Sequence, residues 1–227
     1  MYNKVHFRIE VSEAVHFSRL MHKHFTERLA DFMAFDSSLN ATWAANWQAA
    51  NRAVELQPSD ETILDQMRQR THTLSDKEKE CMKAAIDLKY YVGKAFPDDK
   101  IAAGEFGYKT LYKASGSTPH LVLWMKVAHN RADKYKTELM AEGMTQAAID
   151  QLLTLAQELE SVDMDQEIFM RERPQATRTR HQVYNDMWRF VTQTAAAANR
   201  VYADDKVQKE IFELPRQPKT KIDGEEN

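Results

Sequence analysis

The sequence predicts an all-α protein, an elongated antiparallel helical bundle built from two similar long-helix units. Three observations carry that reading. Only six glycines and six prolines occur in 227 residues, and scarcity of both breakers suits long helices. Apolar residues recur at three- and four-residue spacing along most of the chain, which marks amphipathic helices. The second half also resembles the first half displaced by 106 positions. Phe96-Pro97-Asp98-Asp99-Lys100-Ile101 recurs as Tyr202-Ala203-Asp204-Asp205-Lys206-Val207, with Phe106 and Phe212 at the same offset. Gln69-x-Thr71-x-Thr73 recurs as Gln175-x-Thr177-x-Thr179, Glu61 falls on Glu167 and Ala50 on Ala156. A repeat of this kind implies two similar units forming one body.

Residues 4–11 alternate apolar and polar, with Val5, Phe7, Ile9 and Val11 the apolar positions. With no second strand to pair, this segment reads as an extended arm lying on the bundle. Ser12 is a candidate N-cap for a helix over 12–35, with Glu13 in its first turn and Phe17, Leu20, Met21, Phe25, Leu29 and Phe32 at helical spacing. Asp36-Ser37-Ser38 ends it. A segment from 39 to 95 follows, carrying Leu39, Trp43, Trp47, Ala50 and Val54, and Pro58 either breaks or kinks it. Ser75 and Glu78 match a capping box, so a helix start is expected there. Pro97-Asp98-Asp99 opens a short turn or helix, the paired aspartates reading as caps.

Gly104, Gly107, Gly116 and neighbouring serines and threonines make 102–118 the expected linker between the units. Thr118-Pro119 then reads as N-cap and first helical residue, with Leu121, Trp124, Met125, Ala128 and Tyr135 on one face. Gly143 closes that helix and Thr145 caps the next. The stretch 145–203 contains Pro174 as its sole breaker. The divisions are thus an arm (1–11), unit 1 (12–107), unit 2 (108–214, packed with unit 1 as one bundle) and a disordered tail (215–227).

The composition excludes several function classes. A net charge of −3 gives no electrostatic case for nucleic acid or an anionic membrane. The densest basic stretch, Arg171, Arg173, Arg178, Arg180 and His181, is interleaved with Glu167 and Glu172 and reads as a solvated helix face. The single cysteine, Cys81, allows no internal disulfide and reads as a buried helix residue. The start lacks a signal-peptide apolar core and no apolar run reaches about 20 residues, so a cytoplasmic location is expected.

No catalytic residue and no cofactor-binding residue emerges. No Gly-x-Ser-x-Gly or phosphate-binding glycine loop is present. Glu13-x-x-His16 has the spacing that puts both side chains on one helical face, as di-iron carboxylate bundles require. Such a site needs a second copy of the motif, and none of the other seven histidines has a glutamate three residues earlier. Glu13 and His16 are therefore the metal candidates, without the remaining ligands. His22 and His24 point about 200° apart on a helix and cannot share an ion. The Gln-x-Thr-x-Thr copies read as helix ends, or else as a polar layer between the units.

Ala14-Val15-His16-Phe17, after a short extended segment and before two long-helix units, resembles the opening of a family of bacterial proteins made almost wholly of long helices. The similarity spans residues 5–214. The family has no established activity to carry over. The resemblance implies the fold, and a structural role for His16. The reading that follows is a non-enzymatic interaction or scaffold protein with a protein partner or a second copy of itself. The alternative is a small-molecule or metal-binding bundle with enzymatic activity.

Overall fold

The structure, a computed structural model, describes residues 4–215. Those residues form ten helices and no strand, so the fold is all-α. In chain order they are α1 (Val11–Glu27), α2 (Leu29–Phe35), α3 (Ala41–Glu55), α4 (Asp60–Ala95), α5 (Lys100–Glu105), α6 (Tyr108–Ala114), α7 (Thr118–Lys134), α8 (Lys136–Ala141), α9 (Gln146–Val201) and α10 (Lys206–Ile211). The tail expected at 215–227 lies outside the described residues beyond Pro215.

Several boundaries differ from the sequence expectation. The N-terminal arm forms no strand among its described residues and is irregular up to Glu10. Phe7 is buried, and Asn185 bonds the arm on both sides: its Oδ1 accepts from His6 N–H at 2.8 Å and its amide donates to Lys4 O at 3.0 Å. Helix α1 starts one residue early, because Ala14 N–H already bonds Glu10 O at 2.9 Å. Ser12 is thereby inside the first turn and caps nothing. The 12–35 helix is interrupted at Arg28, whose φ of −117° leaves the helical range. Asn40 then caps α3 by accepting from Thr42 N–H and Trp43 N–H at 2.9 and 3.2 Å.

The two long segments behave differently. Pro58 separates α3 from α4, whereas α9 runs unbroken through Pro174. Proline has no N–H to give the preceding turn and disfavours a helix interior by about 3 kcal/mol, so the rest of α9 must hold that turn in place. The Ser75–Glu78 capping box caps no helix, because α4 passes straight through it. Glu78 instead accepts from Thr118 Oγ at 2.8 Å. The expected linker at 102–118 contains α6, which buries Leu111 and Ala114.

The aspartate, Thr145 and Gly143 caps are present. Asp99 Oδ1 accepts from Ile101 and Ala102 N–H, and Asp205 Oδ1 from Gln208 N–H. Thr145 Oγ accepts from Ala148 N–H. Gly143, at φ 98°, turns the chain so that Met144 N–H reaches Leu139 O at 3.1 Å, a helix-ending bond that needs the left-handed residue.

Two compact units result. One joins residues up to Ser59 with those from Arg173 on; the other is Asp60–Glu172. Each has its own core. The first gathers Met21, Phe25, Phe32, Trp47, Met187, Val191 and Phe212. The second gathers Cys81, Leu88, Phe106, Leu121, Met125, Leu139, Ile149 and Leu152. The units therefore cut across the chain halves read from the sequence. No helix among the described residues is long and apolar enough to cross a membrane.

Candidate functional site

An apolar concavity lies along α7. Its floor is Trp124, Phe106 and Ala114, its walls are Leu123 and Val127, and its rim carries Lys113 and His120. The groove encloses about 330 Å³. Ser117, not Thr118 as the sequence suggests, is the N-cap position of α7, Pro119 lies in its first turn, and its buried face of Leu121, Trp124, Met125 and Ala128 sets the helix rotation. That rotation leaves Leu123 61% and Val127 42% exposed.

Gly107 holds the floor in position. Its φ of 68° directs the chain from α5 into α6. Its carbonyl accepts from Trp124 Nε1 at 3.1 Å and from Thr110 Oγ at 2.8 Å. Tyr108 packs on Trp124 with ring centroids 5.6 Å apart. Burial pushes the Tyr108 phenol far above its ordinary pKa, so it stays neutral.

A second groove, of about 450 Å³, runs along α1 and is lined by Ile9, Ser12, Glu13, His16, Phe17 and Pro215. The metal candidates of the sequence, Glu13 and His16, are therefore exposed side chains on an apolar groove. His22 and His24 diverge. His22 Nε2 bonds Ala44 O at 2.9 Å, and its ring meets Trp47 edge-on. His24 lies 3.5 Å from Glu27 and packs against Phe212. Among the described residues no three His, Cys, Asp or Glu side chains converge as a metal site.

A polar cleft of about 360 Å³ is lined by Gln66, Gln69, Arg70 and Thr73 of α4 with Val162 and Asp165 of α9. Arg70 lies 4.8 Å over the Phe169 ring. The Gln-x-Thr-x-Thr copies are mid-helical rather than helix ends. Thr71 and Thr73 return their hydroxyls to Met67 O and Gln69 O, both at 3.0 Å, which satisfies threonine inside a helix. In the basic stretch, Arg171 pairs with Glu167 at 2.9 Å and Arg180 is buried with a bond to Pro58 O at 3.2 Å.

No protein-family model, curated protein or solved structure matches this chain.

Sequence reasoning assigned Leu123 and Val127 no role, since their i,i+4 spacing resembles any helical stripe. The distinguishing signal was available: Leu121 and Trp124 define one face of α7, and Leu123 with Val127 defines another. It also missed a buried polar triad. Trp47 Nε1 donates to Ser18 Oγ at 2.8 Å, which donates to Asn51 Oδ1 at 2.7 Å. Serine and asparagine at those positions gave no sign that they face each other.

Proposed function

We propose that this chain is a non-enzymatic interaction protein made of two similar helical copies, and that it receives an apolar helical segment of a partner in the groove along α7. The observation that carries the reading is the recurrence of exposed aliphatic side chains at matching places in the two copies. Leu20 matches Val127 and Met33 matches Met140 at a separation of 107, and Leu64 matches Met170 and Ile101 matches Val207 at 106. All eight side chains are exposed. An exposed aliphatic group does little for folding, whereas an exposed apolar patch suits binding.

The two-copy reading draws support from the helix bounds. Helix α1 corresponds to α7, α2 to α8, α3 with α4 to α9, and α5 to α10. Buried positions follow the same correspondence with small register changes. Met21, Phe25 and Phe32 fall on Ala128, Ala132 and Leu139 at 107, Trp47 and Val54 on Leu152 and Leu159 at 105, and Ala85, Leu88 and Phe106 on Val191, Thr194 and Phe212 at 106. The α1 groove is then the counterpart of the α7 groove, with Phe17 for Trp124 and His16 for Leu123.

The α7 groove suits a helix presenting two apolar side chains one turn apart. Lys113 and His120 at its rim favour an acidic residue beside that stripe. The test is a photo-crosslinking amino acid at position 123 in otherwise intact protein within its native cells. A discrete adduct that disappears with Val127→Glu supports the reading. Absence of an adduct, or an adduct indifferent to that change, overturns it.

A further inference from the structure

Accepting the two-copy reading, we infer that the copies are arm-exchanged partners, and that side-chain size specifies which halves pair. Each compact unit takes the front of one copy and the back of the other: α1–α3 pack with the end of α9 and α10, while α7, α8 and the start of α9 pack with α4 and α5. A single copy thus carries an unfilled inner face whose natural partner is a second copy, here fused into the same chain.

The geometry within each unit defines the levels at which residues meet. In the first unit Phe17 packs near Trp188 and Asp31 Oδ2 accepts from Tyr202 OH at 2.8 Å, so α1–α2 and the end of α9 run side by side in the same sense. In the second unit Thr118 bonds Glu78 and Tyr135 packs on Phe96, so α7 and α4 do likewise.

Size alternates along these levels. By that register, small buried Ala14 and Ser18 fall at about the level of large buried Met187 and Val191 in the first unit, and large Leu121 and Met125 at about the level of small Cys81 and Ala85 in the second. At the second level the order reverses. Large Met21 and Phe25 go with Thr194 and Ala198, and small Ala128 and Ala132 go with Leu88 and Val92. At each level each unit thus combines two larger side chains with two smaller ones. Pairing each front with the back of its own copy would put Phe25 and Met21 against Leu88 and Val92, and Ala132 and Ala128 against Ala198 and Thr194. At this level one core would be overfilled and the other left with cavities, and at the first level the reverse, both of which destabilise.

The experiment places a specific protease site between Ser115 and Gly116 of the full chain and cleaves it. The two fragments are expected to elute together at the 26.3 kDa of the intact chain. After unfolding and joint refolding they re-form the mixed pair, while either fragment refolded alone loses cooperative melting. Fragments that separate without denaturant, or that refold as well with themselves, overturn the inference and leave the crosslinking test untouched. A second measurement needs no cut. Ala132→Phe and Val92→Ala each lower the melting temperature, and the double variant recovers part of the loss. Strictly additive losses overturn the size code.

Discussion

Ser18 Oγ donates to Asn51 Oδ1 across 2.7 Å in the core of the first unit, where both residues are sealed from solvent. The same hydroxyl accepts from Trp47 Nε1. In the proposed two-copy correspondence, taken at the 105 offset of Trp47 and Leu152 rather than the 106 that puts Ala50 on Ala156, the counterparts are Met125, Ala156 and Leu152, all apolar. Helical packing at this site therefore has no need of polar groups, and the triad ties α1 to α3 by direction as well as by contact.

Removing the hydroxyl should strand two buried polar atoms. Ser18→Ala is expected to cost about 1–3 kcal/mol, the penalty for an unsatisfied buried group. The double variant Ser18→Ala, Asn51→Ala should cost less than the sum of the singles. Urea unfolding of the four proteins measures the coupling.

Cys81 should be chemically silent in the folded protein. It is fully buried, its thiol donates to Leu155 O at 3.6 Å, and burial pushes its pKa up to about 11. Thiolate is the reactive form. A disulfide reagent at pH 8 should label the native chain only at the rate at which the second unit opens, and label it at once in denaturant. Rapid native labelling would contradict this placement.

Glu105 should contribute to acid sensitivity. The Lys134 ammonium hydrogen-bonded to it holds its carboxyl below the ordinary glutamate range, with Arg131 also close. A carboxylate with a depressed folded-state pKa stabilises above its unfolded pKa, and the benefit disappears as pH falls through the folded value. Glu105→Gln should lower the melting temperature at pH 7 slightly, and the two proteins should converge at low pH. The effect is small because the pair is solvent-screened.

Gly107→Ala should strain the α7 groove specifically. An added Cβ meets Thr110 Oγ at 3.5 Å and Trp124 Nε1 at 3.7 Å, so space is adequate, but φ of 68° is unfavourable for alanine. The cost is about 1–2 kcal/mol. Trp124 fluorescence should shift as its bond to the Gly107 carbonyl is disturbed.

Metal analysis tests the Glu13 and His16 reading. Protein purified without chelator or affinity metal should carry no near-stoichiometric iron, manganese or zinc, and Glu13→Ala with His16→Ala should melt like the wild type. Stoichiometric metal lost in that variant would restore the metal-binding alternative.

Helix type was legible from the sequence because apolar spacing and breaker scarcity are local properties. The Asp99, Asp205, Gly143 and Thr145 caps were legible for the same reason. Helix limits decided by packing were not. Nothing near Ser75 reveals that Glu78 is occupied by Thr118, and nothing near Gly107 reveals that Leu111 and Ala114 are buried. The 106 offset was legible from Phe96 to Phe106, where the proposed copies keep that register. In the proposed correspondence it shifts to 105 at Trp47, which falls on Leu152, and to 107 at Phe25, which falls on Ala132. The groove was hidden because exposure depends on helix rotation, which the buried face decides.

The division at Ser59 and Arg173 has a temporal side. During synthesis α1–α3 leave the ribosome first, yet the segment that completes their core is made last. Between them stand residues 60–172, the whole of the other unit. At about 5–20 residues per second the wait is roughly 6–23 s. Throughout it, Phe25, Phe32 and Trp47 have no Met187, Val191 or Phe212 to cover them. The second unit is complete before the first can close, so the order of birth and the order of folding run opposite to each other along this chain.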